Sequence, residues 1–316
     1  FGGKGFDIAV VFEELGRAVV VEPFLPSAVL GGGLIAALGS DEQKAVLEQV
    51  TSGETLVALA HGEPESWYEL SEVSTKAEKV ANGWVLNGSK AVVANGDTAD
   101  LLVVSARTAG ESHEEDGISL FLIDGRAEGV ERRSYPTMDG SRAAEITLEN
   151  VAVDQAALLG VEGQAFPALE AQIAAGTLAL CAEAVGAMEA AKALTIEYLR
   201  TRTQFGRPIG QFQALQHRMA DMLIEIEQAR SAVINAAGQL EADRLTREKS
   251  VSAAKNMIGR VGKLVAEETI QLHGGIGMTY EYALPHFAKR LVMIDHMLGD
   301  SDHHLHRYVE LMREAS

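Results

Sequence analysis

This sequence is short of cysteine, of positive charge and of long apolar runs. Cys181 is the only cysteine in 316 residues. No internal disulfide can form, and its apolar neighbours suit a buried thiol in a reducing cytoplasm. Lysine and arginine total 27 against 45 aspartates and glutamates, a formal net charge of -18. That balance argues against nucleic acid, which needs a concentrated basic surface, and against an anionic membrane surface. It leaves room for a small anionic ligand, because a few local arginines can dominate a pocket. No apolar stretch reads as long and clean enough to span a bilayer. The opening Phe-Gly-Gly-Lys-Gly-Phe-Asp has neither the shape of a signal peptide nor that of a transit peptide, and reads as the interior of a longer chain.

What is present is an ordinary globular composition, 47% hydrophobic and 23% charged, over a length suited to two or three domains. Its texture changes twice. Residues 1–52 carry helical spacing in FDIAVVFEELGRAV and in SDEQKAVLEQV, where Ser40 caps a helix with acids in its first turn. Residues 53–160 hold short β-like runs (TLVALAHG, STKAEKV, WVLNGSKAVVANG, DLLVVSART, GISLFLID, AAEITLENVAV) with turn residues between them. KVANGWVLNGSKAVV has the pattern of a hairpin, and the set suggests a small barrel or sandwich. Residues 161–316 return to helix, with long helices over 166–203, 211–243 and 250–274 and shorter ones over 283–298 and 302–313. Long helices with short connections make a four-helix-type bundle.

Two stretches stand out. RTRTQFGRPIGQFQALQHRMADM, from Arg200, offers the planar fork of Arg202 to a phosphate. QLHGGIGMTYEY, from Gln271, removes side chains at Gly274 and Gly275, so that a ligand can approach the backbone. Taken singly, each also fits an inter-helix turn or a glycine helix cap. A third stretch, MIDHMLGDSDHHLHRY from Met293, gathers aspartates and histidines. Asp302 and His306 have the i,i+4 spacing of metal ligands, but that spacing equally serves a helix N-terminal acid on a solvated face. No metal is expected there, and Ser301 or Asp302 is expected to cap the last helix.

In this order the motifs resemble the acyl-CoA dehydrogenase family along essentially the whole chain. GEP at 62–64, NGSKAVVANG at 87–96, RTQFGRPIGQFQALQHRMADM and QLHGGIGMTYEY all fall where that family has its recognisable motifs. The resemblance implies an α+β multidomain fold: an N-terminal helical domain over 1–52 that lacks the family's first helices, a middle β-barrel domain over 53–160, and a C-terminal four-helix bundle over 161–316. It implies FAD as cofactor, an acyl-CoA substrate oxidised to the trans-2-enoyl-CoA, and an electron-transfer flavoprotein as acceptor. In the family a desolvated carboxylate removes the α-proton while the β-hydrogen leaves as hydride.

The chain departs from the family at the carboxylate. Counting forward from GGIGMTYEY, the glutamate of the largest branch falls on Leu298, with its glycine kept as Gly299. The alternative position, on the first bundle helix, falls on Gly176, followed by Thr177 where an arginine is usual. Asp300 is the substitute candidate. The middle domain has also lost groups that orient the flavin ring in the family. Gly62 and Tyr68 replace hydroxyl positions, Val92 replaces an aromatic, and Ala94 replaces a threonine. By contrast, the residues with which family members hold a neighbouring subunit's FAD are kept as Arg202, Phe205, Ile209, Gln213, Gln271, Gly274 and Gly275.

This asymmetry resembles the small, non-catalytic subunits of heterotetrameric bacterial acyl-CoA dehydrogenases, of the pimeloyl-CoA dehydrogenase small-subunit type. The expectation is a cytoplasmic subunit that pairs with a homologous partner as α2β2 and completes the partner's FAD site. The alternatives are an active homo-oligomer, dimer or tetramer, using Asp300, and a flavin-free scaffold on the same fold.

Overall fold

A computed structural model describes residues 4–314; the first three residues of the opening stretch and the last two of the chain lie outside the described residues. The chain begins with α1 (Gly5–Ala18), passes through a π-helical segment (Phe24–Gly31) into α2 (Gly32–Leu38), and continues through α3 (Asp41–Lys44) and α4 (Val46–Ser52). Ser40 caps α3 as expected. Its hydroxyl accepts from the Gln43 amide at 3.2 Å, and the Gln43 side chain accepts from the Ser40 amide at 2.8 Å. That reciprocal pair satisfies two donors at the helix start.

Strands follow: β1 (Val57–Ala60), β2 (Lys76–Val80), β3 (Gly83–Ala94), β4 (Leu101–Arg107), β5 (Ile118–Asp124), β6 (Val130–Pro136), β7 (Arg142–Val153) and β8 (Leu158–Leu159). They run in the order β6-β7-β3-β2-β4-β5-β8, with β1 paired in parallel to β4. The expected hairpin is β2–β3, closed after Val80, where Gly83 supplies a φ of 147°. A single residue pair, Lys76 with Arg107, joins β2 to β4. The sheet therefore folds over a core that includes Trp84, Leu86, Leu102, Val104, Phe121 and Ile146. Trp84 and Phe121 meet edge to face, 5.5 Å between ring centres.

Sequence patterning missed β6. It reads Val-Glu-Arg-Arg-Ser-Tyr-Pro, stands at the edge of the sheet and buries little, so the apolar alternation that marks a strand is absent. A charged edge of this kind resists pairing with other chains.

The remaining elements are α5 (Phe166–Thr201), the two-residue strands β9 (Thr203–Gln204) and β10 (Arg207–Pro208), α6 (Gln213–Gln239), α7 (Arg244–His273), α8 (Leu284–His296) and α9 (Ser301–Glu314). By length and composition α5 is apolar enough to cross a membrane, a property the sequence reading did not credit to any stretch; 89% of its most apolar window is buried within the protein.

Contacts divide the chain into two compact units. One comprises residues 21–173 and the other residues 1–20 with 174–316. The helical opening expected over 1–52 is therefore shared between them, and the cause is local. A Cβ on Gly16 would overlap the Glu183 carbonyl, and one on Gly186 would overlap the Glu13 carbonyl. These glycines let α1 lie directly on α5. Arg230 of α6 then bridges Glu13 at 2.8 Å and Glu189 at 3.1 Å, fixing α1 among the bundle helices.

Candidate functional site

The first candidate surface belongs to the bundle unit. At the end of α5 the Arg202 amide donates to the Tyr198 carbonyl at 2.8 Å, and the Ile209 amide donates to the Arg202 carbonyl at 2.9 Å. Between them β9 and β10 form a tight hairpin. Its central residues, Phe205 and Gly206, have φ of 54° and 78°, the left-handed geometry that two-residue hairpin loops require. Phe205 carries that strain while 91% exposed. It meets Phe212 edge to face at 6.0 Å, and the Arg207 guanidinium lies 4.2 Å from the Phe212 ring centre. Arg202 and Gln213 are exposed, and Ile209 is half-buried.

The second motif ends α7. Gly274, at φ 66°, caps the helix by donating to the Gln271 and Ile270 carbonyls, and a 3-10 turn follows over Gly274–Met278. Gln271, Gly274 and Gly275 are all exposed. A Cβ on Gly274 or Gly275 would meet nothing within 4 Å. Gly274 answers to its left-handed backbone. Gly275 is not among the positive-φ residues, so neither backbone strain nor packing within the chain requires glycine there. The space beside it is open. The structure thus brings the two motifs to the surface of one unit, joined beneath by His273, which stacks on Tyr198 at 4.5 Å.

The β-containing unit carries the other positions. The Gly62 carbonyl accepts from the Ala91 amide at 2.8 Å, tying the GEP loop to β3. Val92 lies where the β3–β7 register shifts between Lys90 and Val93, at φ 51° and 64% exposed. Trp67, at φ 50°, is 84% exposed. A β-branched residue at positive φ is a strained exception, and such strain gathers at functional sites.

Beneath this surface is a buried network. Lys90 Nζ donates to Glu63 Oε1 at 2.7 Å, to Ser105 Oγ at 3.0 Å and to the His61 carbonyl at 3.2 Å. His61 Nδ1 lies 2.9 Å from the same Ser105 hydroxyl. Burial, with Lys90 beside it, pulls the His61 imidazole down to about 3, so His61 is neutral at physiological pH.

The corner between α8 and α9 has no free carboxylate at the expected place. Leu298 stands at φ 54° just past the end of α8. Asp300 Oδ1 accepts from the His303 amide at 2.8 Å, so Asp300 is the residue that caps α9. This corrects the expectation that Ser301 or Asp302 would do so. Instead, the Ser301 amide donates to Asp295 Oδ1 at 3.0 Å. The corner is held from below by Lys255, which donates to the carbonyls of Asp295 and Gly299, and by His304, whose Nε2 is 2.9 Å from the Leu298 carbonyl. Burial, with Lys255 nearby, lowers the His304 imidazole to about 3, which keeps it neutral.

Gly299 has φ 101°, and a Cβ there would lie 2.6 Å from His304 Nε2. Gly299→Ala is therefore expected to destabilise the protein by about 1–3 kcal/mol through strain and overpacking. A lowered urea midpoint at unchanged slope would register it. Gly176 and Thr177 are buried within α5. Among the described residues no group of three or more histidines, cysteines or carboxylates is arranged to hold a metal ion.

Sequence reasoning missed Lys255, His304 and His273 as parts of these sites. Lys255 lies in no motif, and although His273 and His304 fall within the stretches from Gln271 and Met293, their roles come through contacts that only the folded helices create.

Residues 58–151 match the acyl-CoA dehydrogenase middle domain, and residues 163–310 match the acyl-CoA dehydrogenase C-terminal domain. The chain belongs to the acyl-CoA dehydrogenase family. An acyl-CoA dehydrogenase of Bacillus subtilis (strain 168) is 31% identical over 291 residues, covering 89% of this chain and 76% of that protein. Butyryl-CoA dehydrogenase from Megasphaera elsdenii superposes with a TM-score of 0.90 at 28% identity, over 99% of this chain and 83% of that one. A chain of the ChsE4-ChsE5 complex from Mycobacterium tuberculosis does so with a TM-score of 0.87 at 27% identity, over 98% and 81%. The family consists of flavoprotein oxidoreductases acting on CH–CH bonds, and the fold of this chain, mixed helix and sheet with a C-terminal helical bundle, is theirs. In the β-containing unit Gly62 and Ala94 carry no hydroxyl and Val92 carries no aromatic ring.

Proposed function

We propose that this chain is the non-catalytic subunit of a heteromeric α2β2 acyl-CoA dehydrogenase, and that it completes the FAD site of a homologous partner subunit in trans. One observation carries the reading. Arg202, Phe205, Gln213, Gln271, Gly274 and Gly275 lie exposed on the bundle unit, whereas Leu298 cannot accept a proton and Asp300 is engaged as the cap of α9. Arg202 would hold the pyrophosphate through its planar fork. Phe205 and Ile209 would offer apolar surface to the adenine end, Gln213 and Gln271 would contribute amides, and Gly274 and Gly275 would admit the ligand to the backbone. When bound, FAD supplies the hydride acceptor for α,β-dehydrogenation of the partner's acyl-CoA. The assembly works in the cytoplasm and passes its electrons to an electron-transfer flavoprotein. The likeness to a chain of the ChsE4-ChsE5 complex supports a hetero-assembly.

Turnover tests this reading. The chain alone should reduce no artificial electron acceptor in the presence of acyl-CoA, while the paired complex should do so, and Asp300→Asn should leave the complex's rate unchanged. Turnover by the chain alone that Asp300→Asn abolishes would establish the homo-oligomeric alternative instead. The hydrogen bond from the His303 amide to Asp300 speaks against that alternative, because the carboxylate already serves as a helix cap.

A further inference from the structure

His273 is a buried histidine between the two motifs of the bundle surface. Its Nδ1 lies 2.8 Å from the Thr269 carbonyl, which can only accept, so Nδ1 carries the proton. Nε2 is then a lone-pair acceptor, and the Tyr282 hydroxyl donates to it at 3.3 Å. The ring stacks on Tyr198 with an interplanar angle of 24° and tilts against Tyr282 with centroids 5.3 Å apart. Tyr198 is the residue whose carbonyl receives the Arg202 amide, and His273 immediately precedes Gly274. One ring therefore connects the hairpin that carries Arg202 and Phe205 to the helix end that carries Gln271, Gly274 and Gly275. Four residues beyond His273, Gly277 packs on it closely, since a Cβ there would lie 3.0 Å from the His273 Cβ.

We propose that neutral His273 is the positioning residue that sets the distance between these two halves of the cofactor-holding surface, and that its protonation separates them and releases the flavin. This inference rests on the trans-FAD reading above. The neutral ring accepts from Tyr282. The imidazolium has a proton on both nitrogens and cannot accept, so the bond from the Tyr282 hydroxyl to Nε2 is lost as it stands and the hydroxyl must turn to accept instead. The titratable groups around the ring are Tyr198 from α5 and Tyr282 from the segment before α8, with Glu197 acting on the Tyr282 hydroxyl.

Burial holds the imidazole below its ordinary value, so the folded state disfavours the cation. The contribution of neutral His273 is complete above the unfolded value of about 6.5, and declines as pH falls through the lower folded value.

The test measures FAD retained by the purified oligomer, whichever chains compose it, from pH 8 to pH 5, together with its thermal unfolding. Wild type should lose flavin on acidification while the chains remain folded. Tyr282→Phe removes the donor that occupies Nε2, and should move the midpoint of flavin loss to higher pH. His273→Phe keeps the stack and removes the titration, so the acid step attributed to this ring should vanish. A His273→Phe oligomer that stays folded and loses flavin at the wild-type midpoint would overturn the proposal. So would unchanged acid midpoints in both variants accompanied only by lower melting temperatures, which mark a merely structural ring. Wild-type oligomer that holds no FAD at any pH would instead remove the trans-FAD reading itself.

Discussion

Lys90→Met is expected to destabilise the β-containing unit by about 3–5 kcal/mol, the cost of leaving one member of a buried ion pair alone. The Lys90 side chain is fully buried and that of Glu63 is 7% exposed. Glu63 also accepts from the amides of Ser74 at 2.7 Å and Thr75 at 3.0 Å, so it ties the loop before β2 to β3. Burial pulls the Lys90 ammonium down and Glu63 offsets only part of that, leaving it at about 8, so it remains charged at neutral pH. Burial pushes the Glu63 carboxyl up, but Lys90 and Thr75 outweigh that and hold it below the usual carboxylate range. Methionine in place of Lys90 removes the cation and leaves the anion buried. Urea unfolding should show the loss as a lower midpoint. Replacing both residues, as Lys90→Met with Glu63→Leu, should cost much less than the two single changes summed, because no lone charge remains. A loss below about 1 kcal/mol for Lys90→Met would mean that the network is hydrated and does not anchor the loop to β3.

Arg202→Ala is expected to weaken FAD binding at the subunit junction by about 10- to 150-fold, the equivalent of about 1.5–3 kcal/mol for charge-assisted hydrogen bonds. The fold should not change with it. The hairpin is closed by the backbone N–H and carbonyl of Arg202, which alanine retains, and the side chain is exposed. Unfolding should therefore stay within about 0.5 kcal/mol of wild type. Arg202→Lys should recover only part of the affinity, because an ammonium cannot reproduce the bidentate fork. Flavin titration of the apo-complex, followed by fluorescence, checks both variants. Equal affinity in Arg202→Ala and wild type would show that this surface does not hold the pyrophosphate.

The legible parts of the molecule were those where local chemistry repeats or punctuates. The long bundle helices, the Ser40 cap and the β2–β3 hairpin each announce themselves through spacing or a turn residue, and the structure has them close to where the sequence places them. The polar edge strand β6 gave no apolar period and went unread. The expected helix end near Leu298 came earlier, at His296, because Leu298 and Gly299 turn into left-handed backbone under the hold of Lys255 and His304. That tertiary bracing has no signature in neighbouring residues. Asp300 illustrates the same limit. Sequence shows a carboxylate two residues from an empty catalytic position, and only the fold shows it engaged as a helix cap. The candidate cofactor residues were legible as motifs, whereas the ring of His273 that joins them depends on α5 and α7 meeting.

The trans-FAD role is tested by the flavin-to-chain ratio, read from the visible spectrum of the purified chain alone and of the complex it forms with an acyl-CoA dehydrogenase partner. A colourless single chain is expected, with one FAD per pair of unlike chains in the complex. A yellow single chain holding one FAD per copy would contradict it, and would show that Gly62, Val92 and Ala94 still support a flavin ring.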